Sequence, residues 1–191
     1  MKKFERAFIK GSFNPFQAGH LHLLNIAKNI SEKTDIYIGN KQRPNLLPRE
    51  IREKAVKNNI DYNNWESHFN LISTGKHYEI NPTEYDLFIT GSDLLNIMTK
   101  TISSRGIKIN QIYKDFYLKF PNILIVDRKN MPLEEDAKKI LRQNSNILYE
   151  TCPTEISGSK IRQAYREGKD ISTMVSPPTW AAIKEHIHIF A

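Results

Sequence analysis

The sequence predicts an α/β protein: a doubly wound parallel sheet of five to six strands with helices on both faces. Three observations lead there. The most apolar runs are short and continuous rather than alternating, as in strands buried on both faces: Ala7-Phe8-Ile9, Leu87-Phe88-Ile89 and Ile123-Leu124-Ile125-Val126. Longer stretches of helical character lie between them, the rhythm of strand–helix–strand units. Glycine closes several runs, at Gly11, Gly39 and Gly91, where a chain leaving a strand must turn.

Ala7-Phe8-Ile9 is the first strand, and the helix after it carries Leu21, Leu23, Leu24, Ile26, Ala27 and Ile30. Asp35-Ile36-Tyr37-Ile38 is a second strand, ended by Gly39-Asn40 and followed by the basic loop Lys41-Gln42-Arg43-Pro44. Pro48 suits a helix start. The helix from Arg49 to Asn59 has Ile51, Ala55 and Val56 on one side, and Asn58-Asn59 with the Asp61 to Asn64 cluster breaks it. Phe69 to Ile72 is a third strand, Gly75 to Thr83 a loop, and Asp86 to Thr90 the clearest buried strand. The chain then runs through Gly91-Ser92-Asp93 into a helical Leu94 to Met98, with an excursion from Thr101 to Asn110. Asn122 to Asp127 is a strand, Pro132 to Arg142 a helix with charges that complement its dipole, and Ile147-Leu148-Tyr149 a last short strand. A final helix opens near Ile156 and runs to about Glu167.

At 191 residues one domain is expected over 1–191, with 156–191 as its C-terminal helical segment. Hydrophobic residues are 39% and charged residues 26%, an ordinary globular composition. No apolar run approaches the ~20 residues of a membrane span, and the basic start Met1 to Arg6 lacks the apolar region of a signal peptide. Cys152 is the lone cysteine, which excludes an internal disulfide and suits the cytoplasm. The net charge of +7 favours anionic partners, nucleotides or RNA, without choosing between them.

The turn after the first strand, Lys10-Gly11-Ser12-Phe13-Asn14-Pro15-Phe16-Gln17-Ala18-Gly19-His20, carries the most information. In open α/β sheets ligands sit outside the carboxyl ends of the strands, where helix N-termini favour anions. Gly11 would let backbone approach a phosphate, Gly19 removes a side chain where the helix begins, and His20 would face the anion. On glycine spacing alone an ordinary βα loop reads equally well. The wording is more specific. Gly11, Phe13, Asn14-Pro15, Gln17 and Gly19-His20 resemble the G-x-F-[DN]-P-x-H-x-G-H signature of the nucleotidyltransferase α/β-phosphodiesterase superfamily. Gln17 stands where that signature has its first histidine, and Asn14 where aspartate is commoner.

The second informative stretch is Ile156-Ser157-Gly158-Ser159-Lys160-Ile161-Arg162. Ser157 and Ser159 are N-cap residues, the first-turn N–H groups can bind phosphate oxygens, and Arg162 can grip two oxygens at once. A capped basic helix is the plain alternative. This stretch resembles the family pattern I-S-[ST]-[ST]-x-I-R, with Gly158 in place of a serine. Gly168 to Ile171, Val175 to Pro178 and Ala182 to Ile187 look like the closing segment of nicotinate- and nicotinamide-mononucleotide adenylyltransferases.

The middle matches less tightly. Leu87 to Leu94 resembles the family's strand followed by G-[AS]-D; by that resemblance Gly91 and Asp93 meet a ribose, while an N-cap role for Asp93 is the local alternative. Lys41 and Arg43 lie where the family has a basic loop for the mononucleotide phosphate. The tryptophan expected near the pyridine ring is missing; Trp65 and Trp180 read as packing residues, and Phe13, Tyr113 or Phe116 are the aromatic candidates. His22, His68, His77, His186 and His188 show no zinc-ligand spacing, and Cys152 has no evident base.

The resemblance implies a Rossmann-like fold and an adenylyltransferase. It would move AMP from ATP to the 5′-phosphate of nicotinate or nicotinamide mononucleotide, giving the dinucleotide and pyrophosphate in NAD biosynthesis. The implied catalytic residues are His20, Gln17 and Arg162. Gly11, Ser12, Phe13, Gly19, Ser157, Ser159 and Lys160 hold ATP and its phosphates, and Asn14, Lys41 and Arg43 the mononucleotide. Mg²⁺ would come bound to the ATP phosphates, with no metal site of the protein's own. Neither membrane nor nucleic acid is expected as a partner, since no RNA-binding motif is present; a homo-oligomer is left open. The acceptor phosphate is already an anion, so positioning and charge stabilisation suffice. Replacing a charged donor by Gln17 then costs roughly 2–4 kcal/mol, a slower enzyme rather than a dead one. Two alternatives stand: the same scaffold acting on another phosphorylated acceptor or with CTP, and a nucleotide-binding regulator that has lost catalysis or a basic RNA-binding protein.

Overall fold

The first strand is longer than its apolar run. In the computed structural model, which describes residues 3–40, 44–73, 79–96, 116–128, 132–142 and 145–191, β1 spans Phe4–Gly11. Phe4 is buried in the first core and lies against Ser31 in parallel register, while exposed Glu5 and Arg6 are held by hydrogen bonding: Asp86 Oδ2 accepts from their N–H groups (2.9 and 3.0 Å). Polar side chains at a strand end hide this from an apolar scan. For the same reason β2 begins at Ser31 and runs to Ile38, where the apolar run starts only at Asp35.

Six strands form one sheet in the order β3-β2-β1-β4-β5-β6, every described pairing being parallel. The others are β3 (Phe69–Ile72), β4 (Leu87–Gly91), β5 (Asn122–Arg128) and β6 (Asn146–Cys152). Strand order reverses between β1 and β4, the place where a parallel sheet opens a crevice at its carboxyl edge. Alternation sends Ala7 and Ile9 into one core and Phe8 into the other. The first core also takes residues of α1 (Ala18–Ile30), α2 (Arg49–Tyr62), α4 (Gly158–Arg166) and α5 (Pro177–Ile183). The second is aromatic, with Phe8, Phe88, Phe116, Tyr117 and Phe120, and is closed by Leu95 and by Ala137 and Leu141 of α3 (Glu135–Leu141).

Two helix boundaries differ from expectation. Asn58-Asn59 does not break α2, which continues to Tyr62. Asn59 is buried, and its amide donates to Ala55 O (2.7 Å) and Thr179 Oγ1 (2.8 Å) while its oxygen accepts from Ser176 Oγ (2.7 Å). Tertiary partners override the weak helix propensity of asparagine. Residues 132–134 are not helical: Asn96 holds them by donating to Pro132 O (2.9 Å) and accepting from Glu134 N–H (3.0 Å). Trp65 and Trp180 pack against the first core. The expected excursion from Thr101 to Asn110, with Tyr113, lies outside the described residues.

Candidate active site

The carboxyl ends of β1, β2, β4 and β6 bring Gly11, Ile38, Gly91 and Cys152 to one edge of the sheet. A Cβ on Gly11 would lie 2.9 Å from the Phe13 ring, so the glycine makes room for that ring. Phe13 is buried and has φ 50°, a left-handed conformation that costs a bulky residue free energy. Its ring packs on Phe16 and, at 4.9 Å between centroids, on His20. Phe13 is therefore a buried wall under the turn; Phe116 is likewise buried.

Gln17 is the N-cap of α1. Its side-chain oxygen accepts from the Gly19 N–H, and in return Nδ1 of His20 accepts from the Gln17 N–H at 3.2 Å. Both halves of a capping box are present. The second bond fixes the His20 tautomer: with Nδ1 accepting, the proton of the neutral ring sits on Nε2. Gln17 is 1% exposed, and its Nε2 is a buried donor with no hydrogen-bond partner among the described residues. Gly19 makes room for this amide, since a Cβ there would meet its two terminal atoms at 3.1 and 3.2 Å.

The second motif meets the first at a single carbonyl. Ser157 caps α4 by accepting from Lys160 N–H (3.2 Å). Arg162, one turn on, donates from Nη1 to Asn14 O (2.5 Å) and from Nη2 to Ser159 Oγ (3.3 Å). Gly158 permits the approach: a Cβ would stand 2.4 Å from Asn14 O and 3.1 Å from Arg162 Nη1. Burial, and next the neighbouring Arg166, lower the Arg162 pKa. Its charge is thus half-buried beside a second cation, a setting that wants an anion. Lys160 lies outside, 3.9 Å from Glu155 with both side chains exposed.

Asn14 uses its side chain within the fold, its Nδ2 donating to Asn45 O (2.9 Å) and its Oδ1 accepting from Leu47 N–H (3.0 Å). With its amide oriented so that each atom faces a partner, Asn45 reaches Arg166 (3.1 Å) and the carbonyls of Ile189 (3.2 Å) and Ala191 (3.0 Å). The closing segment is thereby tied to the turn. Asp93 lies inside the helical turn 92–96 and not at its cap, with Oδ1 2.5 Å from where a Gly91 Cβ would be. Ser12 is exposed. Lys41 and Arg43 lie outside the described residues.

Sequence reasoning missed Arg52. It is 2% exposed and donates from Nε to Leu47 O (2.8 Å) and from Nη1 to both Ser12 O (2.9 Å) and Gly39 O (2.9 Å). Burial lowers its pKa, with Arg49 adding to the effect. A signal existed: Arg52, Ala55, Val56, Asn59 and Ile60 are the buried residues of α2 and keep helical spacing, so Arg52 sits in line with the apolar face. Among the described residues no group of three or more His, Cys, Asp or Glu side chains gathers to hold a metal ion.

A family model described as cytidylyltransferase-like matches residues 8–164. A relative from Bacteroides thetaiotaomicron, named a probable nicotinate-nucleotide adenylyltransferase, is 26% identical over 203 residues, covering 97% of this chain and 93% of its own. A protein of the same name from Caldicellulosiruptor saccharolyticus is 30% identical over 189 residues, with 90% and 91% covered. The solved Plasmodium falciparum nicotinic acid mononucleotide adenylyltransferase complexed with APC matches with a TM-score of 0.67 at 19% identity over 97% of both chains. The same enzyme complexed with NaAD gives 0.65 at 20% identity over 99% of this chain and 98% of that one. Those two structures speak for the fold, while the family model and the sequence relatives speak for descent: the chain belongs to the cytidylyltransferase-like family and stands within it beside the nicotinate-nucleotide adenylyltransferases.

Proposed function

We propose that this protein transfers AMP from ATP to the 5′-phosphate of nicotinate mononucleotide, releasing pyrophosphate and forming the dinucleotide of NAD biosynthesis. Nicotinamide mononucleotide is the acceptor to be compared with it. The observation that carries the reading is the junction at Asn14, where Arg162 of the second motif, half-buried beside Arg166, docks on the turn of the first. The names of the relatives and the compounds in the neighbouring structures agree with the substrates proposed. The chain is proposed to act as one nucleotidyltransferase domain, with 156–191 as its closing segment, in the cytoplasm. No helix among the described residues is long and apolar enough to cross a membrane.

The acceptor is already an anion, so the chain's own groups need only position it and stabilise charge at the α-phosphorus. Nε2–H of His20 and the guanidinium of Arg162 donate to the developing charge; the buried Nε2 of Gln17 is a third donor, neutral where a histidine could be charged. The N-terminal ends of α1 and α4, with Lys160 outside, are assigned to the remaining phosphate oxygens. Gly91 and Asp93 are assigned to a ribose, and Lys41 and Arg43 to the mononucleotide phosphate. The donor set is made of cations and N–H groups, which suits phosphate oxygens and gives a hard cation no anionic cradle. Mg²⁺ is therefore assigned to the ATP phosphates, where it supplies charge neutralisation of the leaving pyrophosphate. Incubating the protein with ATP, Mg²⁺ and each mononucleotide, then weighing the products, tests the reading. The dinucleotide mass with matched pyrophosphate supports it; pyrophosphate only with another acceptor, or none at all, overturns it.

A further inference from the structure

We infer that Lys10 is a specificity-determining residue that recognises the carboxylate of the nicotinate ring and so makes the acid mononucleotide the preferred acceptor; the inference deepens the reading above and rests on it. Lys10 is the penultimate residue of β1. Alternation places its side chain on the Phe8 face of the sheet, opposite the face that Ile9 shares with α1 and α4. Ile9 pairs with Ile89, so Lys10 stands at the carboxyl edge on the boundary between β1 and β4, where strand order reverses. Two substrates that react at one α-phosphorus must approach it from different sides of this crevice. The phosphates of ATP are assigned to the helix N-termini of one face, and the ring of the acceptor then falls to the other.

The ammonium is held in place on that side. Nζ donates to Tyr117 Oη (2.9 Å) and stands 5.4 Å from the centre of the Tyr117 ring. Tyr117 is 1% exposed and its ring packs on Phe88 at 5.0 Å between centroids, so the platform under the charge is rigid. Lys10 itself is half-buried, its stem against the aromatic core and its head at the edge of the sheet. A neutral hydroxyl takes one proton of the ammonium without cancelling the charge. The two candidate acceptors differ in a single ring substituent, a carboxylate in one and a neutral amide in the other. A fixed cation separates them by sign, since its bond to a carboxylate is charge-assisted on both sides and its bond to an amide oxygen on one only.

The test compares kcat/KM for nicotinate and nicotinamide mononucleotide, with ATP and Mg²⁺ saturating, in the unaltered protein, Lys10→Met and Lys10→Arg. Methionine keeps an unbranched stem and removes the charge, while arginine keeps the charge. The unaltered protein should prefer the acid by about tenfold or more, and Lys10→Met should lose about tenfold or more of that preference, chiefly through the acid. Lys10→Arg should retain most of it. An unaltered protein without a preference for the acid overturns the inference and leaves the adenylyltransferase reading intact. So does a Lys10→Met protein that keeps the preference, or one that loses both acceptors alike, the mark of a merely structural lysine. If Lys10→Met does not fold, Lys10→Gln decides by the same criterion. An unaltered protein that releases no pyrophosphate with either mononucleotide overturns the adenylyltransferase reading and this inference with it.

Discussion

Gly158 is the residue at which the structure makes its least expected demand. The family pattern has serine there, yet a Cβ would lie 2.4 Å from Asn14 O, a backbone atom with no flexible end to give way. To reach an ordinary contact the start of α4 must withdraw by roughly 1 Å. Alanine improves on glycine by up to about 1 kcal/mol in helix propensity. Against that stand an overpacking cost of about 1–3 kcal/mol and the weakening of a charge-assisted bond worth about 1.5–3 kcal/mol, since Arg162 holds the same carbonyl at 2.5 Å. The losses win. Gly158→Ala should destabilise by about 1–3 kcal/mol, lowering Tm by roughly 2–12 °C for a chain of this size.

The functional consequence is separable from the stability loss. Moving the Arg162 guanidinium by roughly 1 Å should cut kcat/KM for ATP by up to ~10²-fold. Gly158→Ser, although it restores the pattern, should behave like Gly158→Ala because the offending atom is the same Cβ. Calorimetry and ATP-dependent pyrophosphate release read the two effects. If both variants melt at or above the unaltered protein and keep its ATP kinetics, α4 does not rest on Asn14, and the junction that carries the proposed function is gone.

Gln17→His should raise kcat with little change in either KM, because a protonated histidine donates from a charged ring where glutamine offers only a neutral amide; an unchanged or lower rate shows that this position is only a cap. Arg162→Ala should lower kcat/KM for ATP by about 10²–10³-fold, and full activity in that variant takes the second motif out of the site. Asn14→Asp should destabilise by about 1–3 kcal/mol at neutral pH, because a carboxylate can accept from Leu47 N–H but has nothing to donate to Asn45 O. A protonated carboxyl can make that donation, so the new group's folded pKa lies above the ~3.9 of the unfolded chain. The penalty is then full above that raised pKa and lost as pH falls through it. A gap from the unaltered protein that widens on acidification would refute the assignment.

The sheet was readable because parallel strands buried on both faces write their interiors as unbroken apolar runs. Ala7 to Ile9, Leu87 to Ile89 and Ile123 to Val126 all lie within strands. Strand ends were not readable, since Glu5 and Arg6 are held by the Asp86 carboxylate, a partner far along the chain. The helix α2 was cut short at Asn59 for a related reason: its amide is satisfied by Ser176 and Thr179 of the closing segment, which no local rule can see. In the site one cap was legible, while the Gln17 cap and the contacts between loops were not, and Ser159 and Asp93 lie inside helical turns rather than at their caps. Ser157 announced itself as an N-cap. Arg52 was not singled out: its place on the apolar face was legible in the helical spacing, but the carbonyls of Ser12 and Gly39 that it holds lie far along the chain.

The departures from the family patterns make more physical sense together than singly. Asn14 and Gly158 are linked through the Asn14 peptide: the amide side chain fastens that peptide to Asn45 and Leu47, and the missing Cβ lets α4 and Arg162 close on its carbonyl. An aspartate in place of Asn14 would loosen the turn that Arg162 holds, and a serine in place of Gly158 would push Arg162 away from it. Gln17 belongs to the same unit from the other side, since its amide oxygen caps α1 while its amide nitrogen is buried and unpaired among the described residues. An unpaired buried donor costs about 1–3 kcal/mol, a cost that an anion bound at the turn would remove. Because the proposed chemistry needs no proton taken from the acceptor, a neutral donor at this position gives up charge without giving up the mechanism.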